Sequence, residues 1–323
     1  MRVLFLGGTS FTGPHAVREL VAGGHDVTVF HRGENEVDLP SAVRHVHGDV
    51  RRFHVHVDDL RALRPHVVVD MVAFVPTDGA RVGAFAGVAE RSVVVSSADV
   101  YRAFGRLHRT EPGPPDPVPL TEGAPLRDVV FDAAYDKVGV ERQATGDPEL
   151  PVTVLRYPAV YGPGDAQHRV GAYVRRMDDD RPAILLQEDH ADWRWARGYA
   201  EDVGHALALA VLSERTAGRV YHVAEPTAHS EREWLERIAG AAGWRGEIVI
   251  VPRSRLPETL QADLDFGQQY ELDSTRIRDE LAYAEIVDPT VALERTIAWE
   301  RENPARDLAL YYDAEDAALA SLG

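Results

Sequence analysis

Short, nearly continuous apolar runs alternate with longer segments of mixed polarity through the first half of the chain. The runs are rich in valine and predict buried strands at residues 3–6, 25–30, 43–47, 67–72, 92–96 and 152–156. The segments between them predict helices at residues 14–22, 58–63, 80–89 and 133–144. Strands that are apolar on both faces are typical of a parallel sheet covered by helices on both sides. The pattern therefore predicts a doubly wound α/β domain.

Beyond Asp165 the strict alternation of strand and helix loosens. Ser230 and Glu233 form a capping-box pattern, and Pro289 suits the first turn of a helix. Residues 106–127 hold six prolines, which predicts an irregular loop; a loop of that length inside a compact domain is usually functional or a lid. In this second half, helices are predicted at residues 170–177, 200–212, 230–242 and 290–301.

Composition and charge narrow the class of protein. Of the 323 residues, 45% are hydrophobic and 8% aromatic, ordinary values for a chain that buries a core. The chain has no cysteine, which excludes disulfides and thiolate metal sites, and no apolar run approaches the length of a membrane span. The apolar run that follows Met1 is too short for a signal peptide, so a cytoplasmic location is expected. The net charge of −17 repels a polyphosphate backbone, so neither nucleic acid nor a membrane is an expected partner.

The first predicted strand ends in the stretch GGTSFTG, which leads into the first predicted helix. Gly7, Ser10 and Gly13 stand at the spacing of a dinucleotide-binding fingerprint, with serine in place of the central glycine. A strand that turns tightly into a helix places free N–H groups and the positive end of the helix dipole at one point, which attracts a pyrophosphate. Gly7 permits the turn, Gly13 permits close packing of helix on strand, and Ser10 is small enough for the backbone to approach the phosphate. We therefore predict a dinucleotide site at Gly7, Ser10, Phe11 and Gly13.

The preference between NAD and NADP is determined about twenty residues further on, at the end of the second predicted strand. Chains that bind NAD usually carry an acid there for the ribose hydroxyls, whereas this chain has Arg32, which is suited to a 2′-phosphate. NADP is therefore favoured over NAD, and the alternative is that Arg32 is a solvated turn residue. Asp49, after the third strand, is placed either near the adenine amine or as a helix cap.

Several stretches resemble the extended short-chain dehydrogenase/reductases, and more narrowly the atypical members known as NAD-dependent epimerase/dehydratases. They occur in the family's order and cover at least residues 1–226. The resemblance implies a dinucleotide-binding Rossmann domain over residues 1–165, to which residues 199–225 return, and a smaller C-terminal mixed α/β substrate lobe over residues 166–323. The stretches are FLGGTSFTG (5–13), GDV (48–50), VVVSSADVY (93–101), LRYPAVYGPGD (155–165), RGYAEDVGHALALAV (197–211) and VYHVAEP (220–226).

The same resemblance implies a catalytic set of serine, tyrosine and lysine. Ser97 matches the serine that hydrogen-bonds the substrate oxygen, and Lys137 matches the lysine that lowers the tyrosine pKa and holds the nicotinamide ribose. Their plainer interpretations are a turn cap and a surface lysine. The family's tyrosine stands four residues before its lysine, where this chain has an alanine. Tyr135 precedes Lys137 by only two residues, about 200° around an ideal helix. Tyr135 is the predicted acid/base if the helix begins after it, and Tyr101 and Asp136 are the alternatives.

Further positions are predicted to contact the cofactor and the substrate. Pro158 matches the position whose backbone holds the nicotinamide amide. Tyr101, Tyr161 and Arg197 are the predicted substrate contacts: Tyr161 shapes the floor between the domains, and Arg197 matches the arginine that pairs with a nucleotide-sugar diphosphate. The plainer interpretation of Arg197 is a strand residue with one buried and one exposed face. No two histidines stand at the four-residue spacing of a helical metal site, so no metal is predicted.

Two functions are compatible with this sequence. The first is an NAD(P)-dependent oxidoreductase or epimerase that acts by hydride transfer on a sugar or nucleotide-sugar-like substrate. That substrate is expected to be phosphorylated or nucleotide-linked, and a homodimer is compatible with this function. The second is a non-catalytic dinucleotide-binding scaffold or redox sensor, which the displaced Tyr135 favours. The sequence does not distinguish reduction, epimerisation and dehydration.

Overall fold

Seven parallel strands form the central sheet of the protein, seen in a computed structural model that describes residues 1–34, 37–146 and 148–322. The strands are β1 (Arg2–Leu6), β2 (Asp26–His31), β3 (Arg44–His47), β4 (Val67–Asp70), β5 (Arg91–Ser97), β6 (Val152–Tyr157), β7 (Ala159–Tyr161), β8 (Ala183–Gln187), β9 (Arg197–Tyr199), β10 (Val220–His222) and β11 (Glu247–Val251). The order across the central sheet is β10-β6-β5-β4-β1-β2-β3, and its neighbouring pairs are parallel. This order reverses between β1 and β4, so their carboxyl ends flank the crevice where doubly wound sheets bind ligands.

Helices cover both faces of this sheet and build a second lobe beside it. They are α1 (Gly13–Ala22), α2 (Phe53–Ala62), α3 (Pro76–Gly79), α4 (Arg102–Leu107), α5 (Lys137–Ala144), α6 (Gly171–Asp178), α7 (Glu188–Ala191), α8 (Ala200–Leu212), α9 (Glu231–Ala242), α10 (Thr275–Leu281), α11 (Pro289–Glu302) and α12 (Tyr312–Leu322).

Two apolar clusters lie on opposite faces of the central sheet. On one face Val17 of α1 and Leu207 of α8 pack against the strands, and on the other face Leu60 of α2 and Val140 of α5 do so. Successive strand residues alternate between the two clusters, and both clusters are buried. This double burial explains the unbroken valine runs, and the predicted doubly wound α/β fold is confirmed.

The second lobe is built mainly from the later part of the chain. Its β8 and β11 pair in parallel, and α6, α9 and α11 enclose an apolar cluster around Trp234 and Ile297. The predicted capping box is present at the start of α9, where the Ser230 N–H donates to Glu233 and the Glu233 N–H donates to the Ser230 hydroxyl. Residues 200–222 return to the first lobe: α8 packs against α1, and β10 pairs with β6 at the edge of the central sheet.

The helix predicted over residues 133–144 is shorter than expected. It begins at Lys137, because the Asp136 carboxylate accepts a hydrogen bond from the Gly139 N–H (3.0 Å) and caps the helix there. The four preceding residues form a bridged turn, in which the Tyr135 N–H donates to the Asp132 carbonyl oxygen. The prediction of helix at 133–136 was therefore wrong, and Tyr135 lies outside the helix.

Among the described residues, no helix is both long enough and apolar enough to cross a bilayer.

Candidate active site

The glycine-rich turn between β1 and α1 has the tight geometry that its sequence predicts. Gly7 has a φ of +87°, and its N–H donates to the Phe30 carbonyl oxygen (2.9 Å). A Cβ on Gly13 would lie 2.6 Å from the Cα of Gly8 and 2.7 Å from its carbonyl oxygen, so no side chain fits where α1 meets the turn. Phe11 has a left-handed φ of +54° and turns the chain into the helix.

A crevice of about 130 Å³ lies beside this turn at the carboxyl ends of β1 and β2. Gly7, Gly8 and Ser10 line one side of it, and Arg32 lines another. The Gly13 N–H donates to the Ser10 carbonyl oxygen (3.1 Å) and Pro14 has no N–H, but among the described residues no side chain caps the start of α1, so the positive end of the helix dipole is open to an anion. The residues present therefore fit the pyrophosphate and adenosine end of a dinucleotide.

Arg32, the residue predicted to hold a 2′-phosphate, lines the crevice but has a partner of its own. Its guanidinium pairs with Glu34 at 2.8 Å, and the two side chains are 47% and 62% exposed. An exposed pair of this kind is weak and can be exchanged for a phosphate. Asp49 does not line the crevice. It caps the turn at Val50–Arg52, accepting from the Arg51 N–H (2.9 Å), which is the second of the two roles expected for it.

Three histidines meet at the edge of the crevice, beside β2 and β3. His31, His45 and His47 have ring nitrogens within 4.8 Å of one another. The Gly33 N–H donates to Nδ1 of His31 (3.1 Å), so His31 carries its proton on Nε2 and donates it to Nδ1 of His45 (2.8 Å). An imidazole in that tautomer has no lone pair at Nε2 for a metal. The hydrogen-bond pattern therefore favours a chain of imidazoles over a metal centre.

A larger cavity of about 360 Å³ lies at the carboxyl ends of β5 and β6. Ser97 and Tyr135 line it together with Pro158, so the structure brings these three predicted site residues to one place. Most of the remaining wall is aromatic or apolar, and the second lobe closes the side opposite the sheet. The wall of this cavity also includes Asp99, Phe104, His108, Gln167, Arg169, His190, Trp193, Trp195 and Tyr270.

The Tyr135 phenol lines the cavity at the strand end, where the side chains of Ser97 and Asp99 lie close enough to its hydroxyl to affect its pKa. It reaches them because α5 begins only at Lys137, which frees Tyr135 from the helical geometry that would turn it away. Burial and the neighbouring Asp99 carboxylate raise the pKa of Tyr135 well above its usual range. The phenol therefore keeps its proton at neutral pH.

Lys137 lies behind this group, at the first position of α5. Its ammonium donates to the carbonyl oxygens of Ala73 (2.6 Å) and Val95 (3.1 Å), and it lies 5.6 Å from the centre of the Tyr135 ring. The side chain is buried, so the interpretation as a surface lysine is wrong. Burial lowers the pKa of Lys137 to about 8, against the opposing effect of Asp70 and other acids.

Tyr101 and Tyr161, two predicted substrate contacts, lie elsewhere in the fold. Tyr101 is fully buried, and its hydroxyl is bound by Arg156 (2.6 Å) and His222 rather than by a cavity group. Tyr161 packs against Tyr199 in the core of the second lobe. Neither lines the cavity around Ser97, so the structure does not support a substrate contact for Tyr101 or Tyr161 there.

Arg197, the third predicted substrate contact, is buried and paired within the chain. Its guanidinium forms an ion pair with Glu231 and stacks on the Trp234 ring, with 4.6 Å between the guanidinium carbon and the ring centre. It does not line the cavity around Ser97 but a small adjoining one, and Arg169 and Trp195 belong to the walls of both. No pattern in the sequence indicates Glu231 as its partner.

Asp99 is the site residue that was not predicted. Its carboxylate lines the cavity beside Ser97 and Tyr135, and one of its oxygens, Oδ1, is buried without a hydrogen-bond partner among the described residues. Burial raises the pKa of Asp99. A signal was present in the sequence, because an acid two residues after a serine at the end of a parallel strand falls where such sheets place their sites.

Several known proteins are similar to this chain in sequence and in fold. A model of the NAD-dependent epimerase/dehydratase family matches residues 3–224. The chain is 32% identical to the 2'-dehydrokanamycin reductase of Streptomyces kanamyceticus over 274 residues, which cover 82% of this chain and 73% of that protein. It is 26% identical to the dTDP-glucose 4,6-dehydratase of Streptomyces niveus over 94% of both chains.

The fold also superposes on a crystal structure of UDP-glucose 4-epimerase from Stenotrophomonas maltophila with bound NAD and formylated UDP-arabinopyranose. The TM-score is 0.72 and the identity 21%, over 94% of this chain and 98% of that one.

Proposed function

The chain belongs to the NAD-dependent epimerase/dehydratase family, and from this we propose that it uses NAD(P)H to reduce a carbonyl group of a sugar-like substrate. The observation that carries the proposal is the position of the Tyr135 phenol beside Ser97 and Asp99 inside a cavity lined mainly by aromatic and apolar side chains. A hydroxyl pair at the end of β5 can hold one oxygen atom of a substrate. The adjacent Pro158 belongs to the wall where a nicotinamide would be held.

Each residue of the site has a separate role in the proposed reduction of a ketone. The cofactor, when bound, supplies the hydride for the carbonyl carbon. The Ser97 hydroxyl donates a hydrogen bond to the carbonyl oxygen and polarises it, and Tyr135 gives its phenolic proton to that oxygen as negative charge develops there. Lys137 keeps a positive charge close to the phenol while the proton leaves.

The surroundings of Tyr135 favour reduction over reactions that begin by oxidising a hydroxyl. Burial, together with the Asp99 carboxylate, raises the pKa of Tyr135, so the phenol holds a proton that it can donate, whereas oxidation of an alcohol needs a phenolate that accepts a proton. The relative from Streptomyces kanamyceticus is named as a reductase. Net reduction therefore has stronger support than epimerisation or dehydration.

The decisive experiment measures the balance of cofactor and product. The purified chain is incubated with NADPH and a panel of keto-sugars and other cyclic ketones, and oxidation of NADPH is compared with alcohol formed. We expect one NADPH consumed per alcohol. Turnover that leaves the cofactor unchanged overall would contradict net reduction and support an epimerase or dehydratase.

Cofactor preference is the first prediction for this site. We expect NADPH to bind more tightly than NADH, because the 2′-phosphate can replace Glu34 as the partner of Arg32. Arg32→Ala should reduce the difference in binding free energy between NADPH and NADH by about 1–2 kcal/mol, the scale of one charged hydrogen bond. Glu34→Gln is the matched control and should increase this difference between the two cofactors. Fluorescence titration of each variant with both cofactors measures this, and tighter binding of NADH by the wild type would refute it.

The pH dependence of the reaction gives a second prediction. The Lys137 ammonium loses its charge as the pH rises through its pKa of about 8, so kcat/KM should fall above that pH. In Lys137→Arg the side chain does not titrate in this range, and the residual activity should lack this fall. The comparison is a kcat/KM profile of the two proteins; a fall at the same pH in both would assign it to another group.

We propose two further properties, a cellular location and an oligomeric state. A cytoplasmic location suits an enzyme that draws on NADPH, and a homodimer is common in soluble enzymes of this size. Light scattering of the purified chain measures the oligomeric state.

A further inference from the structure

We infer that the substrate of the cavity around Ser97 carries no nucleotide diphosphate, and that Glu231 is the residue that excludes such substrates. The inference rests on the proposed function, because it concerns the substrate of the same cavity. It begins from Arg197, the guanidinium that the sequence offers for a diphosphate.

The N–H groups of the Arg197 guanidinium already bind acceptors that belong to this protein. Its Nη2 binds the Glu231 carboxylate, and its Nη1 donates to the carbonyl oxygens of Trp195 (3.2 Å) and His229 (3.3 Å). The Arg197 and Glu231 side chains are only 7% and 8% exposed. A diphosphate that took Arg197 would leave the Glu231 charge buried and uncompensated, which is strongly unfavourable.

Glu231 is itself fixed, so it cannot move aside easily. It is the first residue of α9, where a carboxylate is favoured by the helix dipole, and the Tyr173 hydroxyl donates to its Oε1 (2.8 Å). The positive charge of Arg197 is therefore neutralised by a carboxylate held from two sides.

Two other arginines close to the cavity are paired with carboxylates. Arg169 lines the wall, and its Nη1 donates to the Asp165 carboxylate (2.7 Å) and the Val160 carbonyl oxygen (2.9 Å), while its Nε has no partner among the described residues. Arg194 donates to the Glu233 carboxylate (3.1 Å). Among the described residues that line the cavity, Arg169 is the only arginine and there is no lysine. Diphosphates are usually held by cations that no carboxylate already neutralises, whereas the one cation of this wall is neutralised by Asp165.

The two histidines of the wall lie against aromatic rings. The His108 ring lies tilted against Phe104 (4.4 Å between ring centres), and His190 stacks on Phe266 (4.6 Å). Burial lowers the pKa of both histidines, which disfavours their charged forms.

What the wall does offer is suited to a compact ring with hydrogen-bond donors. Trp193, Trp195 and Tyr270 present aromatic surface, and the unpartnered Oδ1 of Asp99 can accept a hydrogen bond from a hydroxyl or ammonium group. A volume of about 360 Å³ is near the lower end of the range for small-molecule sites. The substrate class is therefore a free cyclic ketone with hydroxyl or amino substituents, not linked to a nucleotide.

The test measures binding of UDP and UDP-glucose by calorimetry to the full chain saturated with NADP⁺. We expect no heat of binding for the wild type at millimolar ligand. Glu231→Gln removes the charge that neutralises Arg197, and should tighten binding of UDP by about 10- to 100-fold, the effect of one charged hydrogen bond. The control is Glu236→Gln, which removes an exposed carboxylate from the same helix, paired only with Arg232. It should leave UDP binding as in the wild type.

The outcomes separate this inference from the proposed function. Micromolar binding of UDP-glucose by the wild type would overturn the inference, and that measurement does not depend on any variant folding. An equal gain in Glu231→Gln and Glu236→Gln would also overturn it, because net charge alone would then explain the result. If no ketone is reduced although the wild type binds NADP⁺ and rejects UDP, the proposed reaction fails while the exclusion of diphosphates stands.

Discussion

Replacing Tyr135 with phenylalanine is expected to lower kcat for carbonyl reduction by about 10²- to 10⁴-fold, the usual contribution of a positioned acid or base. The ring would still pack near Lys137, but no proton could be delivered beside Ser97. The affinity for NADPH should stay nearly unchanged, because the glycine-rich turn and Arg32 are untouched. Steady-state rates with a reducible ketone measure kcat, and cofactor titration measures the affinity for NADPH.

Tyr101→Phe is the matched control for this experiment. Tyr101 is a buried tyrosine a few residues after Ser97, but its hydroxyl is bound by Arg156 and His222 outside the cavity. Its loss should lower the free energy of unfolding by about 1–3 kcal/mol, because Arg156 and His222 lose a partner. The value of kcat should change little. If Tyr135→Phe remained active and Tyr101→Phe lost activity, the acid would have been assigned to the wrong tyrosine.

Gly13→Val is expected to remove most of the affinity for the cofactor. The first carbon of any side chain at this position would lie 2.6 Å from the Cα of Gly8, an atom of the backbone that the turn holds in place. Relieving the overlap must move α1 away from the turn, at a cost of about 1–3 kcal/mol, or roughly 10- to 100-fold in cofactor affinity. Thermal unfolding and cofactor titration measure the two effects.

Ser10→Gly is the control for the turn. Ser10 is exposed at the edge of the crevice, and glycine there restores the common fingerprint, so binding should be largely retained. Cofactor binding by Gly13→Val at wild-type strength would mean that the turn is not the dinucleotide site.

The central sheet could be predicted from the sequence because its signal is local. The runs around Val3, Val67 and Val93 are apolar on both faces, and only a parallel sheet covered on both sides buries them in full. The start of α5 was predicted less well, since apolar spacing does not reveal that Asp136 caps the helix. A single cap displaced the predicted boundary by four residues and changed the interpretation of Tyr135.

The surroundings of the site depend on contacts that no local pattern contains. Arg197 and Glu231 meet across a separation of 34 residues in the chain, and Tyr101 meets His222 across 121. The sequence shows that an arginine is present, but the carboxylate that neutralises it is apparent only in the fold. Asp99 differs from Arg197, because the sequence alone shows that an acid follows Ser97 by two residues. The structure was needed only to show that one of its oxygens is buried without a partner among the described residues.

The return of residues 200–222 to the central sheet constrains how the protein can be made. Until β10 has left the ribosome, β6 is an open sheet edge with unpaired backbone groups, a surface that attracts other strands. The apolar side of α1 is likewise uncovered until α8 arrives, nearly two hundred residues later in synthesis. The first lobe therefore finishes folding only after the early part of the second lobe, from α6 to β9, has been translated. A fragment ending at Asp165 would be an incomplete folding unit prone to self-association.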